Sequence, residues 1–363
     1  MTTMPRRAFL ARSLGGLILL GSGSALLTAC SDDGDDGTAS GGAGSVAFRL
    51  SYTHSVSFAG TYLAIADGFY AAQGIDTVEL LEGGPTATPT PLDVGVGKAL
   101  LGVASTPDQV ATARLNGGAA VKIIGALYQK NPYAVTSLAS APIRTPQDLV
   151  GRTIGVQAVN ETVWTAFLEG AGIDPASVTT VPVQFDPSPL TQGEVDGWFS
   201  FVTNEPVTLA AAGYDVETLL LADNGYPLVA QVYVADESNL DGDRRADLVK
   251  ALTAEIEGWI VAVKNPERAA EITIDTYAPD LGLDLAVQTE IARIQNGLIV
   301  TDATRSSGLM TVTDELVAQN LATLAASGLD ISADELFDLS VLAEVYEARP
   351  DLATALADVA VDG

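Results

Sequence analysis

The chain has 363 residues and a formal net charge of −28, from 18 Lys and Arg against 46 Asp and Glu. That balance repels nucleic acid and anionic lipid surfaces, so binding driven by phosphate neutralisation is excluded. One cysteine and one histidine exclude an internal disulfide and any multi-histidine metal site, and the stability of so long a chain must come from a buried core.

The first segment reads as an export signal. Arg6 and Arg7 open a short basic region, apolar and small residues run from Leu14 to Leu27, and the string LTAC ends on Cys30. A basic head, a short apolar stretch and small residues before a cleavage point make residues 1–29 a secretory signal peptide. RRAFL after Pro5 resembles a twin-arginine export motif. LTAC resembles a bacterial lipobox, in which Cys30 becomes the lipidated first residue of the mature chain. Cleavage there removes Arg6, Arg7 and Arg12 and takes the net charge to −31. Residues 30–45 follow as a lipid-anchored tether. Past the cysteine they are Gly, Ser and Asp-rich with no apolar residue larger than Ala, a composition that cannot bury enough surface to fold.

From Val46 onward strands alternate with helices. SVAFRLSY is a strand by its alternation, THSVSFAG a polar turn, and TYLAIADGFYAAQG a helix ending at Gly74. DTVELLEG and KALLGVAS are strands. The helix over PDQVATARL has Thr106 placed to cap it and Pro107 at its first position, and AVKIIGALY is a fourth strand. A second unit begins near IRTPQDLVG, where Thr145 caps a short helix. It continues through the strand GRTIGVQA, the helix ETVWTAFLEGAG, the strands TTVPVQF and EVDGWFSF, the helix VTLAAAG and the strand DVETLLL. After the strand VAQVYVA the chain is mostly helical to its end. Alternating strands and helices argue for parallel α/β sheets. Two such units followed by helices suggest two lobes, with the helical tail packing back on the first.

Several of these strings together carry a family resemblance. ADGFYAAQGIDTVEL, STPDQVATARLNG, IRTPQDLVGRTIGV, GEVDGWFSFVTNEPVTLAAAGYDV and NPERAAEI occur in the order found in bacterial solute-binding proteins of ABC importers. The chain resembles the branch that includes binders of thiamine pyrimidine precursors, aliphatic sulfonates, nitrate and riboflavin, over most of residues 46–280. The resemblance implies a two-lobed α/β periplasmic-binding-protein fold of type II, closing on a solute by hinge motion. On this reading residues 46–137 are the first part of lobe one, 138–228 lobe two, and 229–363 the mostly helical return to lobe one. It implies a monomer anchored to the outer face of the cell membrane by its N-terminal lipid. The partners would be a small solute and the permease and ATPase subunits of the importer, with no nucleic acid, cofactor or metal. Eukaryotic relatives of the branch are enzymes with a Cys-rich motif and a serving histidine. This chain has neither the cysteines nor a second His, which argues against an enzyme.

In open α/β sheets, ligands sit beyond the carboxyl ends of strands and near helix N-termini. That rule selects His54, Ser55 and Phe58 after the first strand, Ser105 and Thr106 after the third, and Tyr128 and Gln129 after the fourth. In the second unit it selects Asn160, Glu161 and Thr162, with Trp164 one turn into the helix. Trp198, Asn204 and Glu205 follow in the string VDGWFSFVTNEP, and Tyr226 in the loop DNGYP. Each has a bland alternative: Ser105 and Thr106 as caps, Trp164 as core, residues 160–162 as a helix start. GVGKAL at 95–100 lacks the remaining residues of a phosphate loop. The selected loops carry aromatic rings with amide, hydroxyl and carboxylate partners, and the nearest cations are Lys130, Arg144 and Arg152. That mixture suits a flat, neutral or weakly basic heterocycle, a thiamine pyrimidine precursor or a flavin, with Glu205 pairing an aminopyrimidine edge. The alternatives are a sulfonate- or nitrate-type anion in the same fold, or an exported enzyme acting on a small aromatic substrate.

Overall fold

Among the described residues ten strands form two five-stranded sheets. In chain order they are β1 (Ser45–Arg49), β2 (Thr77–Leu81), β3 (Leu101–Ala104), β4 (Val121–Tyr128), β5 (Tyr133–Leu138), β6 (Thr153–Gln157), β7 (Thr179–Val183), β8 (Gly197–Phe201), β9 (Val216–Leu220) and β10 (Ala230–Asp236). The computed structural model describes residues 44–360 apart from Pro85 and Phe185. The expected signal peptide, Cys30 and the tether to residue 43 lie outside the described residues, and Ser45, assigned above to the tether, is the first residue of β1.

The first sheet has the order β2-β1-β3-β10-β4 and the second β7-β6-β8-β5-β9. In the first, β1 runs parallel to β2 and β3, while β10 runs antiparallel to β3 and β4. In the second, β6 is parallel to β7 and β8, and β5 is antiparallel to β8 and β9. The expected two-lobed α/β architecture is therefore present, each lobe a mixed sheet crossed by helices. The chain leaves the first sheet through residues 129–132 and returns through 221–229. The expected break at 137/138 falls too late, because β5 pairs from Ala134 to Leu138 with β9 of the second sheet. Asn131-Pro132 marks the crossing: Pro132 has no amide to donate to a continuing ladder.

These two crossings are tied to each other. Asn131 is fully buried. Its Nδ2 donates to the carbonyls of Tyr226 at 2.7 Å and Leu228 at 3.1 Å, and its Oδ1 accepts from the Tyr133 amide at 3.2 Å. Lys130 pairs with Asp223 at 2.7 Å across the same gap. Asn320, on the tail helix Asp314–Ala326, accepts from the Val229 amide at 3.0 Å and donates to the Pro227 carbonyl at 3.2 Å.

The helical return packs chiefly on the first lobe. The helix Arg245–Lys264 lies against Ala59–Ala66, where two glycines permit the approach. A Cβ on Gly258 would stand 2.1 Å from the Gly60 carbonyl oxygen. Two tail helices also touch the second lobe: Asp314–Ala326 meets Glu161–Gly170, and Leu285–Ile299 meets Glu205–Ala211. The single helix expected over 61–74 is two, Ala59–Ala66 and Phe69–Ala72, because Gly68 takes φ +75° and breaks the ladder.

Inside the first lobe one carboxylate is fully buried. Glu255 accepts hydrogen bonds from the Thr61 hydroxyl at 2.7 Å, Tyr70 at 2.6 Å and Tyr233 at 2.6 Å, and Tyr233 accepts in turn from the Trp259 indole at 2.9 Å. Burial raises the Glu255 carboxyl above its ordinary value of 4.5, and the three donors act the other way. The folded chain thus holds this proton more tightly than the unfolded chain. Its contribution to stability is complete below the unfolded value and is lost as pH rises through the folded one. Glu255→Gln should therefore flatten the fall in urea-unfolding free energy above about pH 4.5 that wild type shows. Parallel curves for the two proteins would contradict this.

Candidate functional site

Strand direction decides which ends of the sheets meet. β1, β2, β3 and β4 end, and β10 begins, at one end of the first sheet. β6, β7, β8 and β9 end, and β5 begins, at one end of the second. The crossings at 129–132 and 221–229 join these two ends, so the carboxyl ends of the parallel strands face each other across the crossings. That is where α/β sheets bind ligands.

From the first lobe, the floor is built by the ends of β1 and β3 and the start of β10. The Gln231 amide donates to the Ser105 carbonyl at 2.8 Å, and Ser51 Oγ lies 3.4 Å from Gln231 Oε1. Gln231 has φ +48°, a left-handed conformation uncommon for a side-chain-bearing residue and enriched at binding sites. Thr106 is buried and has the extended backbone of an N-cap, yet its hydroxyl makes no cap bond. It lies instead beside the Asp108 carboxyl and the Tyr133 hydroxyl. From the second lobe, Tyr133 at the start of β5 packs against Phe201 (5.0 Å, 65°) and Phe199 (5.5 Å), both on one face of β8. Tyr226 of the return crossing meets it edge-on at 6.4 Å. Burial, together with the neighbouring Asp108, raises the hydroxyls of Tyr133 and Tyr226 well above the ordinary phenol value, so both are donors at neutral pH. An aromatic wall thus stands over a hydroxyl, amide and carboxyl floor.

The expected site residues divide between this wall and the core. Ser105 and Thr106 are placed here, and Tyr226 lies beside them but is itself buried in the core that holds Trp164. His54 and Ser55 lie at the same end of the first sheet but turn to Tyr62: His54 Nδ1 is 2.9 Å from its hydroxyl, and the Ser55 amide donates to it at 3.3 Å. Tyr277 stacks on Tyr62 at 3.9 Å, and Glu82 lies 3.7 Å from His54. Phe58 is core, packed among the first-lobe residues. Tyr128 is buried and donates to Gln295 at 3.0 Å, and Gln129 turns back to the Ala126 carbonyl at 2.8 Å. Asn160 donates to Gln157 at 2.9 Å, while Glu161 and Thr162 are exposed. Trp164 is core, its indole donating to Thr180 at 2.9 Å and its ring set against Phe199.

The string VDGWFSFVTNEP is corrected in two places. Trp198 lies on the opposite face of β8 from Phe199 and Phe201, fully buried among Leu190, Val195 and Leu209. Helices cover both faces of this strand, so alternation alone does not expose either. Asn204 is exposed and its side chain makes no cap bond. Glu205 is buried, and its Oε2 accepts from the Phe201 amide at 2.8 Å. Burial raises its carboxyl and that amide partly offsets the rise.

The cations nearest in sequence are all engaged with acids: Lys130 with Asp223, Arg144 with Glu217 at 2.7 Å, and Arg152 with Asp196 at 3.5 Å. Sequence reasoning passed over Asp108, Tyr133, Phe201 and Gln231. Asp108 carried a readable signal, two residues past Thr106 at a helix start after a strand. Gln231 carried none, because its backbone conformation is set by tertiary packing. A separate hollow of about 370 Å³ lies at the other end of the first sheet, lined by Gly97, Lys98, Asp236 and Arg244 among others. That position is remote from the strand ends that face the second lobe. Among the described residues no group of three or more His, Cys, Asp or Glu could hold a metal ion, and no helix is long and apolar enough to cross a membrane.

Residues 55–269 match the NMT1/THI5 like family model, a span that holds most of both sheets. The chain belongs to the NMT1/THI5-like family. Riboflavin-binding protein RibY of Chloroflexus aurantiacus is 28% identical over 297 residues, covering 78% of this chain and 81% of that protein. The periplasmic aliphatic sulphonate binding protein SsuA of Escherichia coli shares the fold, with a TM-score of 0.59 at 16% identity over 88% of this chain and 93% of SsuA. So does the desulfurization enzyme DSZB, with a TM-score of 0.57 at 13% identity over 84% of this chain and 99% of that one.

Because Glu205 is spent on its own strand–helix turn, its removal acts on the fold. Glu205→Ala leaves the Phe201 amide without its acceptor and should lower the urea-unfolding free energy by about 1–3 kcal/mol. Glu205→Gln, which keeps an acceptor, should lose much less. Equal losses in the two variants would show that the hydrogen bond is not what the residue supplies.

Proposed function

We propose that this protein is the solute receptor of an ABC importer and that it captures a small heteroaromatic solute of the riboflavin or thiamine-pyrimidine-precursor kind between its two lobes. The observation that carries the reading is the half-buried Tyr133, packed on Phe201 and edge-on to Tyr226, with its hydroxyl beside Thr106 of the first lobe. Rings at these spacings offer a flat solute an apolar face, and the hydroxyl and amide groups opposite can meet its polar edge. Similarity to RibY, a riboflavin-binding protein, supports the same class. The pairing of Lys130, Arg144 and Arg152 with acids leaves the sulfonate and nitrate alternatives without an obvious counter-ion.

On this reading the mature chain begins at a lipidated Cys30. It works as a monomer at the outer face of the cell membrane, exported by the twin-arginine route, and hands its solute to permease and ATPase subunits. The two crossings bound by Asn131 would serve as the hinge. It acts as a receptor rather than an enzyme: Cys30 would carry lipid, and the one histidine, His54, is bound to Tyr62.

A thermal- and urea-unfolding panel tests this reading. Riboflavin, an aminopyrimidine, thiamine, alkanesulfonates and nitrate are each added to the mature chain. One heterocycle should stabilise it, by about 2.7 kcal/mol at a hundredfold excess over its dissociation constant, and should be recovered unchanged. A shift with sulfonates or nitrate alone would overturn the solute class, and turnover of the bound heterocycle would overturn the receptor.

A further inference from the structure

Among the described residues three carboxylates are buried, Asp93, Glu205 and Glu255, and each is held by side-chain or backbone partners. Asp93 pairs with Arg49 at 3.2 Å and Lys98 at 2.9 Å. Glu205 takes the Phe201 amide, and Glu255 takes three hydroxyls. Asp108 is different. It lies in the first turn of the helix Pro107–Gly117, where the first sheet faces the second lobe, with only Thr106 and its own amide beside it. None of the ion pairs among the described residues includes it. Two phenols from the other side of the gap, Tyr133 and Tyr226, are close enough for its charge to act on both. Their own hydroxyls lie beside Thr106 and Ser327 respectively.

A carboxyl has room for about four hydrogen bonds, and one left short of donors in a partly dry site is costly. Burial accordingly raises the Asp108 carboxyl, and no cation offsets that rise. Beyond the Thr106 hydroxyl and its own amide, the carboxyl keeps room for a further donor presented from between the lobes, beside aromatic rings.

We propose that Asp108 is the specificity-determining residue of the interlobe site, accepting hydrogen bonds from the ring N–H or amino edge of an uncharged or weakly basic heteroaromatic solute and turning away anions. The inference rests on the heteroaromatic reading above and assigns the edge-recognition role to Asp108 in place of Glu205. A ring stacked against Tyr133 brings its edge toward the helix start, where an imide or aminopyrimidine N–H finds an acceptor. A sulfonate or nitrate in the same place meets a carboxyl, two phenol rings and no cation.

The test measures dissociation constants by calorimetry for riboflavin, an aminopyrimidine, methanesulfonate and nitrate, on wild type, Asp108→Asn and Asp108→Ala. Unliganded melting temperatures check the fold. If both variants melt within about 3 °C of wild type, the heterocycle that wild type binds should bind Asp108→Asn at least about tenfold more weakly, the scale of one charge-assisted hydrogen bond. Asp108→Ala should lose more. Affinity in both variants within about threefold of wild type overturns the role of Asp108 and leaves the heteroaromatic reading standing. Should a variant melt far below wild type, Thr106→Val serves in its place, with the same solute and a smaller loss expected. Wild type that binds only methanesulfonate or nitrate overturns the heteroaromatic reading itself, and the role of Asp108 with it.

Discussion

One buried side chain holds the two halves of this molecule in register. Asn131 sits in the first crossing and spends its amide on the second, donating to the Tyr226 and Leu228 carbonyls while accepting from Tyr133. Unmade, these bonds would leave several polar groups unsatisfied in a dry interior, each costing about 1–3 kcal/mol. Made, they keep two chain segments side by side that are nearly a hundred residues apart in sequence. Everything at the candidate site follows from that pairing. Tyr133 is two residues beyond Asn131, Tyr226 is one of the residues it binds, and the edge-on contact between their rings is fixed by the same clamp. Asn320 reinforces the second crossing from the helical tail, so the return of the chain to the first lobe is part of the device.

Acid is distributed with purpose in a chain so short of cations. Most carboxylates are on the surface, where they keep the protein soluble and contribute little to stability. The buried ones divide by role. Glu255 ties together two helices and β10 inside the first lobe, and Glu205 closes the turn after β8. Asp108, half-buried at the end of the first sheet that faces the second lobe, has the Thr106 hydroxyl and its own amide beside it and no cation.

Most elements were legible because their apolar period is plain. The strands from VAFRLSY to VAQVYVA and the helices over PDQVATARL and ETVWTAFLEG lie where alternation and capping residues put them. What failed had physical reasons. β5 was hidden because AVTSL follows so closely on β4 that only residues 129–132 separate them, and the lobe boundary slipped by several residues. The site was legible as a set of loops and illegible as a set of side chains. Position beyond a strand end selected Phe58, Tyr128, Trp164 and Trp198, all of which turn into cores formed by helices that sequence cannot place. The same rule overlooked Asp108 and Tyr133, whose significance depends on a contact between lobes. The alternation of β8 was read correctly, with Phe199 and Phe201 opposite Trp198. Trp198, expected at the ligand, is instead buried, because both faces of that strand are covered.

The central claim is that the solute lies between the crossings and the facing strand ends. Hydrogen–deuterium exchange of the mature chain, with and without the heterocycle that stabilises it, tests this most directly. Binding should slow exchange in segments 104–110, 129–134, 199–206 and 224–232, with no change in 95–100 or 236–244. Slowed exchange confined to 95–100 and 236–244, around the hollow at the far end of the first sheet, would contradict it.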